Sequence, residues 1–410
     1  MERIVVTGMG TVNPIGKNVE ETWKNAVQGV SGVGPITLFD ASDWMVDHAC
    51  EVKDFKAEDY LGKRDARRMD RFEQFAVVAA DEAVRDAGLE ITPENAERVG
   101  VFVASAIGGL KSLEDAVYTM RDKGYRRVNP FVVPMMMPNG AAGLVAIRQG
   151  AKGPAMAVAS ACASGNDALG LAWMMLRNGV VDVALAGASE STLCSVGVGA
   201  FVRMGALSLR DDYSSAPQPF DRNRDGLVMG EGAGMLVLET ESHAKARGAR
   251  ILAEFAGYAA TADAHHITAP AENGEGGARA MQRVLEVAGL TPEEVDYINA
   301  HGTGTRLNDS AETAAIKAVF GERAYQIPIS STKSMTGHMM GATGAVEAIF
   351  CVQTIREGII PPTINYHTPD PACDLDYVPN QARQADVRVV ISNAFGFGGH
   401  NAVLAFRAYE

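Results

Sequence analysis

The chain has 410 residues, of which 47% are hydrophobic and 21% are charged, and this composition excludes an intrinsically disordered polymer. Its length allows either two domains or one large α/β domain with a sizeable core. The 50 acidic and 37 basic side chains leave a formal charge of -13, which disfavours non-specific binding to nucleic acid or to an anionic membrane. We therefore expect any anionic partner to be met by a local basic patch.

The sequence predicts neither a signal peptide at the N-terminus nor a membrane span. The N-terminal stretch MERIVVTGMG lacks the pattern of a signal peptide, and no stretch approaches the ~20 apolar residues of a membrane span. The cysteines are odd in number, widely spaced and without a CxxC pair, and they are Cys50, Cys162, Cys194, Cys351 and Cys373. This set fits a reducing compartment and no zinc or disulfide framework, so we predict a cytoplasmic protein.

Short apolar runs alternate with longer segments of helical period along the chain. The apolar runs are RIVVTG, RVGVFVAS, VVDVALAG and RVVISN, in that order, and RFEQFAVVAADEAVRDAGL has the helical period. Buried strands of ~5 residues that alternate with helices predict an α/β architecture with a mostly covered sheet.

The two halves of the chain echo each other. Each opens with a strand, continues with a strand into a glycine turn and a strand into a small-residue helix, and ends in a hairpin-like glycine segment. The echo has two explanations: chance similarity of glycine-rich α/β sequences, or two related halves packed face to face with converging reactive loops. The join would lie near residues 239–250, which divides the chain into residues 1–249 and 250–410.

The stretch SACASGNDALG places Cys162 between an apolar strand and a helix predicted from about residue 167. The positive end of the helix dipole and its free N–H groups would favour the thiolate. The small neighbours of Cys162 would allow the close approach that a nucleophile turn requires. The alternative is a buried structural cysteine, which we expect for the other four.

Two histidines stand in glycine-rich motifs of the second half. His301 lies in NAHGTGT, after a strand and before a glycine turn, and alone it would be interpreted as a core histidine. His338 lies in TKSMTGHMMGATG at the predicted start of a helix, where the helix dipole favours a neutral imidazole. Lys333 precedes His338 in the same motif, and Glu312 is a candidate ion-pair partner for Lys333. The alternative for that pair is a solvated surface.

The stretch NAFGFGGHN has three glycines around Phe397 and is too glycine-rich for a strand, so it suits a loop whose backbone N–H points into a site. It is not a dinucleotide fingerprint, and the chain has no G-x-S-x-G elbow and no Walker A lysine. The adjacent His265 and His266 lack metal-ligand spacing. One thiol with two neutral histidines suits an enolate that forms beside an acylated cysteine, whereas hydrolysis would need a single base.

The cysteine motif, HGTGT, KSMTGH and GFGG occur in an order that resembles the β-ketoacyl-[acyl-carrier-protein] synthases of the elongating, synthase II type. The likeness runs from IVVTGMGTVNPIG to FGFGGHNAVLAF, essentially the whole chain. It implies the thiolase fold, with two pseudo-equivalent halves in a five-layered α-β-α-β-α sandwich, and a homodimer. It also implies condensation of a cysteine-bound acyl group with malonyl-acyl-carrier-protein to give 3-oxoacyl-acyl-carrier-protein and CO2 in fatty acid synthesis, without a metal or redox cofactor.

The resemblance also implies roles for individual residues. Cys162 matches the acylated nucleophile, and His301 and His338 match the pair that binds the malonyl thioester carbonyl and assists decarboxylation. The backbone N–H groups of Cys162 and Phe397 match the oxyanion hole, and the Phe397 side chain matches the gate for the malonyl unit. Lys333 and Glu312 match the supporting ion pair.

Further positions match substrate and carrier contacts of the family. Ile107 matches a residue that lines the acyl pocket near the dimer interface, and the other substrate positions are Thr303, Thr305 and Phe395. The segment GKRDARRMDR supplies a basic patch for an acidic carrier protein through Lys63, Arg64, Arg67 and Arg68. The alternative for this segment is an ordinary solvated helix face.

The sequence departs from the family pattern at three positions. Ser164 and Gly304 stand where bacterial synthase II commonly has Thr and Ser, and Gly205 stands where many relatives have an arginine that helps to hold the carrier. Arg203 is a candidate replacement for that arginine. These departures bear on carrier docking rather than on the chemistry.

The same motifs bear on several other functions. A freestanding polyketide ketosynthase would share every catalytic residue and stays an alternative. A cysteine-dependent thioester hydrolase would need one histidine with an orienting Asn or Asp, and the second histidine argues against it. A degradative thiolase would carry a second cysteine in the C-terminal glycine loop, which has none. An initiating synthase would have an asparagine in place of His338. A non-catalytic partner would lack the nucleophile, whereas Cys162 is present.

Overall fold

The computed structural model describes residues 2–410. The strands are β1 (Ile4–Val12), β2 (Gly34–Pro35), β3 (His48–Ala49), β4 (Val99–Ala104), β5 (Ala155–Met156), β6 (Val183–Glu190), β7 (Gly232–Thr240), β8 (Ala253–Ala262), β9 (Tyr297–Asn299), β10 (Ile329–Ser330), β11 (Ile359–Ile360), β12 (Arg383–Gln384), β13 (Val389–Gly396) and β14 (His400–Arg407). The α-helices are α1 (Val19–Val27), α2 (Ala57–Leu61), α3 (Lys63–Ala66), α4 (Arg71–Asp86), α5 (Leu110–Lys123), α6 (Val132–Met136), α7 (Gly140–Gln149), α8 (Ser164–Arg177), α9 (Ser195–Met204), α10 (Glu241–Ala246), α11 (Glu275–Ala288), α12 (Arg306–Phe320), α13 (Lys333–Thr336) and α14 (Thr343–Glu357).

The strand order of the large sheet is the same in both halves of the chain. In the described residues the sheet has ten strands in the order β10-β9-β13-β14-β8-β1-β7-β6-β4-β5. Its centre, between β1 and β8, is held by only two residue pairs, Val5 with Glu254 and Val6 with Ala253. Read outward from this seam, β1-β7-β6-β4-β5 corresponds to β8-β14-β13-β9-β10. This order gives the two pseudo-equivalent halves expected from the sequence, while the exact division at residue 249 stays a prediction.

The helices complete a five-layered sandwich. α8 and α14 contact each other and strands from both halves, so they form the central layer. α4 and α7 pack on the outer face of the first half, and α11 packs on the outer face of the second with α12 beside it. The structure therefore has the predicted thiolase-like α/β fold. None of the helices within residues 2–410 has the length and apolar character needed to cross a membrane.

Glycine in β1 lets helix α4 pack directly on the sheet. A Cβ atom at Gly8 would lie 2.3 Å from the carbonyl oxygen of Ala83, and one at Gly10 would lie 2.0 Å from that of Ala79. Asp70 and Glu73 form a capping box that starts α4. The helix thus begins directly after the basic segment and holds that segment against the body of the protein.

Three local predictions differ from the structure. The apolar run before Cys162 forms a strand over only two residues, because β5 lies at the edge of the sheet and pairs with β4 alone. Helix α8 begins at Ser164, earlier than predicted. The glycine-rich stretch expected to be a loop is strand as far as Gly396, since pairing with β14 outweighs the cost of its glycine, and only the following 3-10 turn leaves the sheet.

Candidate active site

Cys162 lies in a tight turn at the start of the central helix α8. The preceding Ala161 has a left-handed backbone conformation with φ 51°, which is strained for a residue with a side chain. Ser164 secures the turn, since its hydroxyl donates to the carbonyl of Ala161 at 2.6 Å and accepts from the N–H of Ser160 at 2.9 Å. Gly396 packs against the turn so closely that a Cβ atom there would lie 3.0 Å from the Cys162 nitrogen. The sharp turn predicted from the small neighbours of Cys162 is therefore present.

Two histidines from the second half of the chain meet this thiol. His301 follows β9, and His338 lies in the connection between α13 and α14. Their rings pack edge to face, with centroids 5.5 Å apart. One ligand atom from each of Cys162, His301 and His338 lies within 4.8 Å of the other two. The three side chains thus form one cluster, and their chemistry would also suit a soft cation such as Zn²⁺.

The cluster faces a cavity of about 370 Å³. Four of the predicted substrate and gate residues line this cavity with the cluster, and they are Thr303, Thr305, Phe395 and Phe397. The hydroxyl oxygens of Thr303 and Thr305 are 2.9 Å apart, and the Phe395 ring lies 5.8 Å from that of His301 between centroids. Ile107 is not among the lining residues and is 39% exposed in the single chain.

The state of the thiol differs from the prediction. Burial raises the pKa of Cys162 to about 11, although the Lys333 ammonium and hydrogen bonding from the backbone N–H of Phe397 act in the opposite direction. At neutral pH this shift favours the thiol rather than the predicted thiolate. The position at a helix N-terminus can be read from the sequence, whereas the depth of burial that outweighs it cannot.

The surroundings of both histidines favour the neutral form that the interpretation of the motifs required. Burial, followed by the nearby Lys333 ammonium, holds the pKa of His301 and of His338 well below the usual range. Nδ1 of His338 lies 3.1 Å from the hydroxyl oxygen of Thr343, and its Nε2 has no protein partner. If the Thr343 hydroxyl donates to Nδ1, the neutral ring carries its proton on Nε2 and can donate to a ligand there.

The predicted ion pair between Lys333 and Glu312 is wrong. Lys333 is buried and its ammonium lies 2.7 Å from Oε1 of Glu347, on the central helix α14. Glu312 instead accepts hydrogen bonds from the backbone N–H groups of His301 and Gly302, both at 2.8 Å, and from the Asn393 amide at 3.1 Å. Glu312 therefore fixes the backbone that carries His301, and Lys333 needs a different counter-ion.

Glu347 and Thr343 are the site residues that sequence reasoning missed. Glu347 carried a signal, because it is a lone acidic residue in the apolar stretch GATGAVEAIF, and a buried charge requires a partner. Thr343 carried none, because its distance from the His338 ring depends on how the connection before α14 folds. Both lie on α14, which packs between the two halves.

The four basic residues of the predicted carrier patch lie together at the surface. Lys63, Arg64, Arg67 and Arg68 line a hollow with Asn129, Pro130 and Phe131. The Arg68 guanidinium lies 4.9 Å from the centre of the Phe131 ring. All four basic residues are exposed, and within residues 2–410 none of them has a carboxylate within 4.0 Å. Their charge is thus free to face a partner.

Comparison with known proteins agrees with this geometry. The family model "Beta-ketoacyl synthase, N-terminal domain" matches residues 1–244, and "Beta-ketoacyl synthase, C-terminal domain" matches residues 252–367. The chain is 50% identical over 409 residues to 3-oxoacyl-[acyl-carrier-protein] synthase 2 of Staphylococcus aureus (strain COL), covering 100% of this chain and 99% of the relative. It is 50% identical over 410 residues to the protein of the same name from Synechocystis sp. (strain ATCC 27184 / PCC 6803 / Kazusa), again with 100% and 99% coverage.

A solved structure gives the same result for the fold. The ketosynthase in the AntDE:AntF complex, in which a type II polyketide acyl-carrier protein is bound to its ketosynthase, superposes with a TM-score of 0.91 at 38% identity, covering all of both chains. The fold and the site define a condensing enzyme of the acyltransferase class. The chain belongs to the beta-ketoacyl synthase family, and its activity in fatty acid chain elongation is the one predicted from the sequence.

Proposed function

We propose that Cys162, His301 and His338 carry out the two stages of a decarboxylative condensation between an acyl thioester and malonyl-acyl-carrier-protein. The observation that supports this assignment is the convergence of one sulfur and two neutral imidazoles within 4.8 Å on a cavity. A hydrolase would need one such histidine, whereas two neutral donors suit a carbonyl oxygen that becomes an enolate.

In the first stage the acyl group moves from the carrier thioester to Cys162. The cysteine sulfur attacks the carbonyl carbon, a new C–S bond forms, the bond to the carrier sulfur breaks, and the proton of the cysteine leaves with the carrier thiol. The oxyanion that forms in between is stabilised by the backbone N–H groups of Cys162 and Phe397. Support comes from the hydrogen-bonding effect of both groups on the Cys162 sulfur.

In the second stage a malonyl thioester loses CO2 and becomes a carbon nucleophile. The electron pair of the broken C–C bond moves into the thioester as an enolate, whose oxygen accepts hydrogen bonds from His301 and His338. The enolate carbon then attacks the acyl-cysteine, a C–C bond forms, the C–S bond to the enzyme breaks, and Cys162 leaves as the thiolate, which takes up one proton from solvent. Thr303 and Thr305 bind the pantetheine arm along the cavity, with Phe395 beside His301 and Phe397 as the gate, and Ile107 contacts the acyl chain.

Reconstitution tests this reaction directly. The purified protein, given acyl-carrier protein with an acyl group and malonyl-carrier labelled in the free carboxylate, is expected to release labelled CO2 and a 3-oxoacyl-carrier product extended by two carbons. Mass spectrometry of the carrier identifies the product. Release of free fatty acid without chain extension would instead support a hydrolase, and repeated extension of one chain without reduction would support a polyketide ketosynthase.

The carrier protein is proposed to dock on the surface formed by Lys63, Arg64, Arg67 and Arg68. These side chains are unpaired among the described residues and lie around a hollow floored by Phe131. Because the enzyme has a net charge of -13, an acidic carrier would be repelled elsewhere and attracted here.

Charge reversal at this surface is expected to weaken the carrier interaction and nothing else. The double variant Lys63→Glu/Arg67→Glu should raise KM for acyl- and malonyl-carrier by about tenfold or more at low salt, with a smaller effect at high salt because ions screen the interaction. Steady-state kinetics with a small N-acetylcysteamine thioester should be unchanged. Arg283→Glu, at another exposed arginine, serves as the control, and an equal loss in both variants would contradict the docking proposal.

We also propose a cytoplasmic homodimer. The segment from Ile107 to Met136 exposes apolar side chains at Leu113, Val117, Tyr118, Met120 and Val133, and the edge strand β5 pairs on one side only. An exposed apolar surface and an open strand edge both favour a second copy of the chain, which would also cover Ile107. Sedimentation equilibrium is expected to give twice the 43.4 kDa mass of the chain, and a monomer at micromolar concentration would contradict the proposal. The five free cysteines fit a reducing cytoplasm.

A further inference from the structure

Glu190 carries a fully buried carboxylate beside the active site. The condensation steps described above give this carboxylate no role. Glu190 is the last residue of β6, and its exposed fraction is 0%. The ammonium group of Lys333 pairs with Glu347 and not with Glu190. Every hydrogen bond that Glu190 receives comes instead from two loops. A buried carboxylate without a cation is costly, so its contacts need a functional explanation.

The first of these loops follows β4 and leads into the predicted acyl pocket. Oε1 of Glu190 accepts from the Ser105 hydroxyl at 2.8 Å and from the Ile107 N–H at 3.4 Å. Oε2 accepts from the Ala106 N–H at 2.8 Å. The same Ser105 oxygen accepts from the Gly108 N–H at 2.8 Å, which extends the restraint along the loop. The carboxylate therefore fixes the backbone that carries Ile107.

The second loop is the connection that carries His338. Oε2 of Glu190 accepts from the Gly341 N–H at 3.1 Å, so one oxygen holds both Gly341 and Ala106. The two loops touch at this point, because a Cβ atom at Gly341 would lie 2.7 Å from the Ala106 nitrogen. Met340, next to Gly341, lines the cavity with Cys162 and His338. A single oxygen atom thus sets the distance between residues 105–107, the acyl-pocket loop, and the segment between α13 and α14 that carries His338, the catalytic connection.

The charge of Glu190 does not help the cysteine. A negative charge at this position raises the pKa of Cys162, and burial raises the pKa of Glu190 itself to about 7. The first effect opposes formation of a nucleophilic sulfur at neutral pH, and the second means that keeping Glu190 ionised costs free energy. The benefit that offsets them is geometric, since a carboxylate can accept from four donors on two loops and an apolar residue from none.

We propose that Glu190 is a positioning residue that holds the acyl-pocket loop, residues 105–107, against the catalytic connection at Gly341. Through this bridge it places Ile107 and His338 at the separation that the acyl chain and the malonyl unit require. The inference rests on the proposed condensation, because it assigns Glu190 a part in that reaction.

Two variants separate geometry from charge. Glu190→Gln keeps one carbonyl oxygen, which can accept from Ala106 and Gly341 while its NH2 group donates to Ser105. The bridge then survives without the charge and loses only the 3.4 Å hydrogen bond from the Ile107 N–H. Glu190→Ala removes the bridge. We expect kcat/KM for condensation to fall less than threefold in Glu190→Gln and at least tenfold in Glu190→Ala. In Glu190→Ala we expect KM for a long acyl-carrier to rise more than KM for a short one, with a drop in kcat.

A second measurement follows the sulfur itself. The titratable and charged groups around Cys162 are Glu190, Lys333, His301 and His338. Since loss of the negative charge favours the thiolate, the pH profile of Cys162 alkylation by iodoacetamide should move to lower pH in Glu190→Gln. A residue with only a general structural role would not shift this profile while leaving condensation intact.

Glu82→Ala provides the matched control. Its carboxylate also bridges two segments, accepting from the N–H groups of Thr11 and Val19 at 2.9 Å each, but it lies on α4 away from the cavity. It should lower the melting temperature without a selective effect on acyl length. Equal losses in Glu190→Gln and Glu190→Ala, or uniform loss over all acyl lengths, would overturn the proposal. Wild-type protein that fails to condense in the same assay would instead contradict the proposed function.

Discussion

Replacing Cys162 with alanine is expected to abolish condensation and to leave malonyl decarboxylation in place. Without the sulfur no acyl-enzyme forms, so kcat/KM for the 3-oxoacyl product should fall on the order of 10³-fold or more, as for other covalent nucleophiles. Decarboxylation needs the enolate to be held, and the role proposed for the neutral His301 and His338 does not require the thiol. Malonyl-carrier with one isotope in the free carboxylate and another at C2 gives labelled CO2 and a labelled 3-oxoacyl product in one reaction, which separates the two stages.

Cys194 offers a matched control for this variant. It is also a buried cysteine at the N-terminus of a helix, α9, and burial raises its pKa to about 11 as well. Cys194→Ala should keep condensation within about threefold of the wild type, because packing loss at a small residue affects stability more than chemistry. Full condensation by Cys162→Ala would show that another group carries the acyl chain. Loss of both activities with an unchanged melting temperature would mean that the sulfur also takes part in decarboxylation.

The residues that form the cysteine–histidine cluster could be predicted from the sequence, because each of them lies in a motif whose neighbours serve a local structural need. Cys162 needs small neighbours and a helix start, and the structure shows both, with Ala161 strained and α8 beginning at Ser164. His301 needs a turn after a strand, and it follows β9. Such requirements are satisfied within a few residues of the chain, so they leave a pattern that can be read without coordinates.

The pairing of charges was not accessible, because it depends on which helices the fold brings together. The sequence suggests Glu312 as the partner of Lys333, yet the Lys333 ammonium lies against Glu347 on the central helix α14. Glu312 had no need of a cation, since backbone N–H groups after β9 already satisfy it. The prediction of a thiolate failed for a related reason, because burial of Cys162 outweighs the effect of the local helix dipole. Contacts between distant segments decide both properties.

Alanine at His301 or at His338 is expected to remove the decarboxylation that Cys162→Ala retains. Each variant loses one hydrogen-bond donor to the enolate oxygen, and loss of such a donor costs roughly 10²- to 10³-fold in rate. The rate of Cys162 acylation, measured by mass spectrometry of the intact protein, should fall less than tenfold. His367→Ala, at an exposed histidine outside the cavity, should match the wild type in both assays.

Glutamine at position 338 tests whether the histidine acts as a neutral donor. Its amide keeps an N–H group but cannot take up a proton, so His338→Gln should recover at least about tenfold of the rate lost in His338→Ala. The pH profile gives an independent check. Because burial and Lys333 hold the pKa of both histidines well below the usual range, the neutral form persists as pH falls through 6.5, the ordinary value, and decarboxylation should decline only at lower pH. A rate that falls with an apparent pKa near 6.5, or a glutamine variant as inactive as the alanine variant, would instead assign the histidine an acid–base role.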